Sequence, residues 1–235
     1  MQGFRRDRTV TPDMTSAGAK PLVIAIDGPA AAGKGTLARR IARHYGFAHL
    51  DSGSLYRAVG LALLEAGRDP HDEEAAVAAA RGLDPALLAR PELRREDVGE
   101  AASIVAAMPA VREALLAFQR GFARRPPGDA PGVVIDGRDI GTVVCPDADL
   151  KFFVTASDAE RARRRQRELE ERGEDAPFAQ VLADLKRRDE RDARRATAPL
   201  RPAEDAVLLD TTEMDIDAVF AAARRIIDSR LQTRR

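Results

Sequence analysis

Tryptophan is absent from this chain, and aromatic residues make up only 4% of its 235 positions. Aliphatic side chains must therefore fill the core, and a hydrophobic content of 44% is enough to build one. There is a single cysteine, Cys145, which excludes an internal disulfide and a cysteine-based zinc site. The three histidines, His44, His49 and His71, are scattered and are expected to pack or face solvent rather than bind metal. No apolar run approaches the ~18–20 residues of a membrane span, and no signal-peptide pattern opens the chain. Excess charge of one sign is also missing. Thirty-eight basic and 38 acidic residues cancel, which argues against a general nucleic-acid binder. These absences together describe an expected cytoplasmic protein that engages neither membrane nor nucleic acid. The length suits one α/β domain with insertions, or two small domains.

Residues 1–20 lack apolar periodicity and are rich in small and charged side chains, so a disordered tail is expected there. Met14 offers an alternative start of translation, which would leave the preceding residues as a leader.

The most informative feature that is present is the run Gly28-Pro29-Ala30-Ala31-Ala32-Gly33-Lys34-Gly35-Thr36. It fits G-x-x-x-x-G-K, a loop whose backbone N–H groups curl around phosphate. Gly28 and Gly33 stand where a Cβ would obstruct that turn. Lys34 supplies a mobile ammonium for the β- and γ-phosphates. The preceding Leu22–Ile26 is a continuous apolar, β-branched run, as a buried parallel strand requires. From Thr36 a helical pattern follows, with Leu37 and Ile41 four apart and Gly46 as its stop. Strand, loop and helix N-terminus form an anion site. By itself this site leaves open a kinase or a regulatory nucleotide-hydrolysing switch. The residue after Lys34 is Gly35, so the hydroxyl comes one position late, at Thr36.

Four more apolar runs read as strands: 47–50, 132–136, 150–155 and 206–210. Between and after them come helical patterns. Ser157-x-x-Glu160 is a capping box that opens a helix stopping at Gly173, and a second helix is expected over about 177–195. The last helix carries Ile216, Val219, Phe220, Ala223, Ile226, Ile227 and Leu231 on one stripe. Alternating strands and helices imply a parallel, doubly wound sheet with ligands at the strands' carboxyl ends. Asp27, Asp51, Asp136 and Asp210 all fall near such ends. The stretch 52–125 reads as almost purely helical, with helices at 54–66, 72–81, 96–108 and 109–122. It is a candidate movable substrate unit, and the Pro- and Gly-rich 124–132 is a loop or hinge.

Three further groupings carry chemistry. In Asp136-Gly137-Arg138-Asp139, a strand-end acid can hold Mg²⁺ through water and Arg138 offers a planar fork for a phosphate. Residues 161–201 hold thirteen Lys or Arg against nine Asp or Glu. Arg188, Arg191, Asp192 and Arg195 recur there at i, i+3, i+4 and i+7, which would make an anion-clamping stripe. Arg161, Arg164, Arg165 and Glu168 share another face, where ion pairing explains part of the run. Asp51-Ser52-Gly53-Ser54-Leu55-Tyr56-Arg57 starts a helix that Ser52 or Ser54 would cap.

Together these strings resemble the bacterial cytidylate kinases, members of the nucleoside monophosphate kinase family. The resemblance covers about residues 21–230. It rests on 26–36, on LDSGSLYR (50–57), on AASIVAAMPAVREAL (101–115), on IDGRDIGTVVCPDADLK (135–151) and on KRRDERDARRATAPL (186–200). It implies a P-loop nucleoside-monophosphate-kinase fold: an α/β, parallel five-stranded sheet flanked by helices, with a helical insert and a short Arg-rich lid. The core would comprise 21–51, 126–160 and 196–235, the nucleotide-binding insert 52–125 and the lid 161–195. The implied activity is transfer of a phosphoryl group from ATP, with Mg²⁺, to CMP or dCMP. Gly28 to Thr36 would hold the donor. Ser52, Tyr56 and Arg57 would line the CMP pocket, and Ser103, Arg112 and Asp139 would face cytosine. Arg138 would hold the acceptor phosphate, Asp192 the ribose hydroxyls, and Arg188 and Arg195 would bridge phosphates beside Lys34. Asp136 would meet the metal through water. The expected partners are these small molecules, and the expected state is a monomer. Two features depart from the family pattern. Ala30-Ala31 replace a usual Ser-Gly, and 82–98 is too short and strand-poor for the family's usual β segment.

Overall fold

The computed structural model describes residues 20–233, so nearly all of the expected tail lies outside the described residues. The central strand is β1 (Leu22–Asp27), all six residues of which are buried. It pairs in parallel with β3 (Gly132–Gly137) on one side and β4 (Leu150–Thr155) on the other. Outside these lie β2 (Ala48–Asp51) and β5 (Val207–Asp210), giving the order β2-β3-β1-β4-β5, every pair parallel. The expected five-stranded parallel sheet is therefore observed. The chain leaves β1 towards β3 in one direction and β4 in the other, so the switch point falls at the end of β1, where the glycine-rich loop begins.

Side chains alternate across β1. Leu22, Ile24 and Ile26 enter a cluster with Leu37 and Ile41 of α1 (Lys34–Tyr45) and Val219, Phe220 and Ile227 of α8 (Ile216–Thr233). Val23 and Ala25 face the opposite side with Val133, Ile135, Leu50, Ile140 and Ala123, the last from α5 (Pro109–Arg124). Burial on both faces is why these strands spell continuous apolar runs.

Between β2 and β3 the chain forms α2 (Ser52–Glu65), α3 (Glu73–Arg81), α4 (Glu96–Val105) and α5. These build their own apolar cluster around Leu55, Val59, Leu63, Val105, Val111 and Leu115. α2 and α4 approach closely at Gly60, where a Cβ would lie 3.0 Å from both the Ala101 Cβ and the Ala102 N. Residues 82–98 hold two short 3₁₀ helices, Pro85–Ala89 and Pro91–Arg94, before α4 begins. Several boundaries differ from expectation by one to three residues, and three of them have a clear cause. α2 starts at Ser52 because Asp51, not a serine, accepts from Gly53 N at 2.9 Å. β2 runs one residue later than its apolar run, because Asp51 pairs with Asp136 in the ladder. α4 stops at Val105, three residues early, because Pro109 forces Met108 out of helical geometry.

After β4 come α6 (Asp158–Glu170) and α7 (Phe178–Ala193). Ser157 accepts from Glu160 N at 3.3 Å, as the capping box requires. Gly173 leaves the helix with φ +77°.

A turn missing from the expected elements follows β3: one turn of π-helix over Ile140–Val144. Asp27 holds it, accepting from Ile140 N and Gly141 N, both at 2.8 Å. Burial outweighs these two bonds and pushes the Asp27 carboxyl up to about 6. The folded state therefore binds this proton more tightly than the unfolded chain does. Its contribution is fully present below the ordinary aspartate pKa and is lost as pH rises through about 6. We expect unfolding free energy to fall by about 2–3 kcal/mol from this group between pH ~4 and ~6. Asp27→Asn should be less stable throughout, because its amide faces an N–H, but should lack that slope. Denaturant titrations from pH 4 to 6.5 check this, and equal slopes in the two proteins would refute it.

Candidate functional site

The loop after β1 has the geometry its spelling implies. Gly28 has φ +152°, and a Cβ there would lie 2.0 Å from the Val154 carbonyl oxygen. Gly33 has φ +88°. Between them Ala31 sits in the left-handed region at φ +57°, unusual for a residue with a side chain. Lys34 opens α1 and donates from Nζ to the Pro29 carbonyl at 3.2 Å. Two neighbours grip the loop from outside. Arg161 Nη1 donates to Ala30 O at 3.2 Å, and Thr211 Oγ1 donates to Ala32 O at 3.3 Å. Ala30 is buried in an apolar cluster with Ala162, Leu169, Val181 and Leu185 of α6 and α7. Thr36 is exposed, and its hydroxyl accepts from Arg39 at 3.2 Å.

The four strand-end acids divide. Asp210 is exposed and caps its own turn through Thr212, so it stands outside the site. Asp27 holds the π-turn. Asp51 and Asp136 are partners in the β2–β3 ladder. Burial and then the Asp136 charge raise the pKa of Asp51. His49 Nε2 lies 2.7 Å from Asp136 Oδ1. This corrects the expectation that the histidines only pack or face solvent. His49 and Asp51 alternate onto one face of β2, a spacing that the sequence did contain. The second Asp136 oxygen faces the loop, 3.4 Å from where a Cβ at Gly35 would stand. No group of three His, Cys, Asp or Glu among the described residues is arranged to hold a metal unaided. A lone buried carboxylate suits an ion that keeps most of its waters and binds phosphate oxygens.

Across the cleft the insert presents Ser52, Tyr56 and Arg57 on α2, Ser103 on α4 and Arg112 on α5. Ser52 is buried against Gly137, where a Cβ would be 2.4 Å from its Oγ. Arg57 donates to Leu93 O at 2.7 Å and packs on Gly99. Arg112 is brought to Asp139 in an ion pair, with its guanidinium 5.6 Å from the Tyr56 ring centroid. Ser103 is 2% exposed, yet its Oγ has no hydrogen-bond partner. A buried hydroxyl left in that state costs about 1–3 kcal/mol unless a ligand supplies the bond.

The third wall is cationic. Arg138 Nε donates to Asp192 Oδ2 at 2.8 Å, and Arg195 pairs with the other Asp192 oxygen. Asp192 is 1% exposed. Burial pushes its pKa up, but Arg138, Arg195 and Arg188 outweigh that and hold it low. Burial, and next the neighbouring Arg138, lower Arg188 to about 9. The same two causes, in the same order, lower Lys34 to about 7, with Arg188 also contributing. Lys34, Arg138 and Arg188 thus stand close enough to repel one another, with Asp51, Asp136 and Asp192 offsetting only part of that repulsion. The Nε atoms of Arg188 and Arg195 are buried without partners. Arg161, which the sequence suggested as part of a solvated ion-paired face, is 4% exposed and ties Ala30 to Asp189 of α7, at 2.6 Å. Nothing in its spacing distinguishes it from the exposed arginines beside it.

Comparison with known proteins identifies the family. A family model described as "Cytidylate kinase" matches residues 24–229. A cytidylate kinase of Rhodopseudomonas palustris is 56% identical over 208 residues, 88% of this chain and 96% of that protein. One of Brucella suis is 58% identical over 215 residues, 92% of this chain and 96% of that protein. A third, of Paramagnetospirillum magneticum, is 59% identical over 208 residues, 88% and 98% of the two chains. Among solved structures, an uncharacterized protein from Eubacterium ventriosum superposes with a TM-score of 0.54 at 16% identity. It covers 89% of this chain and 99% of that one, and speaks for the fold alone. A profile that runs from the first strand into the last helix, with relatives identical at more than half of the aligned positions, places this chain in the cytidylate kinase family.

Proposed function

We propose that the protein transfers the terminal phosphoryl group of ATP to the phosphate of CMP and dCMP. The observation that carries this reading is the shared volume of Lys34, Arg138 and Arg188. There, burial and mutual repulsion lower the pKa of both Lys34 and Arg188. Such a cluster is stabilised by a ligand with several negative charges, and phosphoryl transfer consists mainly of positioning and neutralising such charges. The loop Gly28–Thr36 would hold the donor. Asp136 would hold Mg²⁺ through water, and the ion would help neutralise the phosphates. Arg138 would take the acceptor phosphate, and Arg188 and Arg195 would span both nucleotides. Asp192 would reach the ribose hydroxyls, with Ser52, Tyr56 and Arg57 along the acceptor pocket. Residues 52–125 would act as the acceptor-binding insert and 161–195 as the lid, closing to exclude water that would otherwise take the phosphoryl group. A coupled assay with ATP and a panel of nucleoside monophosphates tests the whole reading. Transfer to CMP and dCMP above all others supports it, and hydrolysis without any acceptor preference overturns it.

Lys34→Ala should lower transfer ~10²-fold or more, as loss of a charge-stabilising group at a phosphate commonly does. Its fold should survive, because a half-buried ammonium whose pKa has dropped to about 7 contributes little to stability. Activity within tenfold of wild type at an unchanged Tm would count against the assignment.

Base choice would follow from the Arg112–Asp139 pair, with the unpartnered Ser103 hydroxyl as a further group for the base. Cytosine offers an N4 amino donor and an N3 acceptor, whereas uracil offers O4 and N3–H at the same places. Asp139 would accept from N4–H and Arg112 would donate to N3 or O2. With UMP, acceptor would meet acceptor and donor would meet donor. We expect kcat/KM to favour CMP by on the order of 10²–10³, below the limit for a fully desolvated site. Asp139→Ala should narrow that ratio. An equal loss for CMP and UMP would assign Asp139 to phosphate or metal positioning instead.

A further inference from the structure

The lid helices and the insert touch without sharing an apolar core. The lid's buried cluster joins α6 and α7 to the phosphate loop through Ala30 and contains no residue of 52–125. The two insert clusters contain no residue of α6 or α7. Open grooves of about 420 and 520 Å³, each bordered by Ala107 and Arg191, separate the two parts beside their contact. Ions and one peptide oxygen cross the gap. Arg191 Nη2 lies 2.7 Å from Glu100 Oε1, and Arg165 pairs with Glu96. Arg172 Nη1 donates to Arg94 O at 3.0 Å.

The spacing of these groups is directed. On α4, Glu96, Glu100 and Ser103 stand at i, i+4 and i+7, one stripe of the helix. On the lid side, Arg188, Arg191 and Arg195 stand at i, i+3 and i+7. The residue placed at the base and the residues placed at the phosphates therefore lie next to the two members of one ion pair. Closing this cleft also brings Arg57, Arg138, Arg165 and Arg188 together, and each lies close enough to Arg57 or Arg188 to lower that group's pKa. Two glutamates on the rim offset part of that repulsion without entering the pocket.

We propose that Glu96 and Glu100 form an electrostatic latch that sets the balance between open and closed lid by holding Arg165 and Arg191. The inference rests on the kinase reading above. Exposed pairs of this kind each shift an equilibrium by about twofold to fivefold. Losing both should reduce the closed fraction by about fourfold to twentyfold, and apparent substrate affinity falls with that fraction. Chemistry inside a site that has closed is untouched, so the effect belongs in KM.

The test uses the full chain, with CMP and ATP as varied substrates, in E96Q/E100Q, E100R, R191E and E100R/R191E. The latch predicts that E96Q/E100Q raises the KM for CMP about fourfold to twentyfold while kcat stays within about twofold. E100R should do likewise, R191E should raise KM at least as much, and the double reversal should return both kcat and KM to within about twofold of wild type. The gap between wild type and E96Q/E100Q should close between ~0.05 and ~0.5 M salt, where exposed pairs are screened. An unchanged KM in E96Q/E100Q overturns the latch. So does a fall in kcat at constant KM, or a double reversal no better than the single ones. A wild-type protein that does not phosphorylate CMP would instead overturn the kinase reading, which keeps the two failures apart.

Discussion

The carboxylate of Asp192 lies between two guanidinium groups that reach it from different parts of the chain. Arg138 comes from the end of β3 and Arg195 from just beyond α7. Each would be costly to bury alone, and together they hold Asp192 ionised at 1% exposure. Removing one partner of such a group commonly costs about 3–5 kcal/mol, because the other charge is left in a poor solvent. The pivot therefore pulls the lid helix onto the end of the sheet. It ties α7 to the end of β3, with Arg188 near enough to Lys34 for their charges to be felt.

The arrangement is not electrically balanced. Asp192 answers Arg138 and Arg195, but among the described residues Arg188 and Lys34 form no ion pair of their own, and both have depressed pKa values despite the more distant Asp192 and Asp136. The fold holds this excess because the surrounding contacts over-determine it. Arg161 is tied to Asp158, Asp189, Ala30 O and Ala156 O, and Arg164 to Glu160 and Thr211. Structural arginines thus anchor the arginines that stay uncompensated. Groups oriented in advance need no reorganisation when phosphates arrive, and this is the physical source of electrostatic catalysis.

Much of this was legible in the sequence, for identifiable reasons. The strands announced themselves because a parallel sheet covered on both faces requires unbroken apolar runs, as Leu22–Ile26 shows. Gly28 was legible because only a residue without Cβ fits 2.0 Å from the Val154 carbonyl. Local rules found the cap at Ser157 and the stop at Gly173. What stayed hidden was set by contacts distant in sequence. Asp27 secures a π-turn 113 residues away, and His49 meets Asp136 across a strand pair. Arg161 and Arg163 look alike along the chain, yet one is buried on the phosphate loop and the other faces water. Periodicity places residues on a face but does not say what covers that face. The sheet's topology decides this by laying α6 over the end of β1.

The two alanines that depart from the family spelling find a reason in the same packing. A glycine at position 31 would adopt φ +57° without the penalty of about 1–2 kcal/mol that a side chain incurs there. Alanine accepts that strain, and its methyl packs with that of Ala30 on Ala162, Leu169, Val181 and Leu185. Contact with those side chains is what a hydroxyl at 30 or a bare glycine at 31 could not supply. Apolar contact and the Arg161 bond to Ala30 O act on the same stretch of backbone, so the lid base and the phosphate loop form one rigid body. Under the latch proposal, the relative motion that admits two nucleotides would be taken up on the other side of the cleft. Among the described residues, two ion pairs and one peptide oxygen link α6 and α7 to the helices of 52–125, and these could separate without exposing an apolar core.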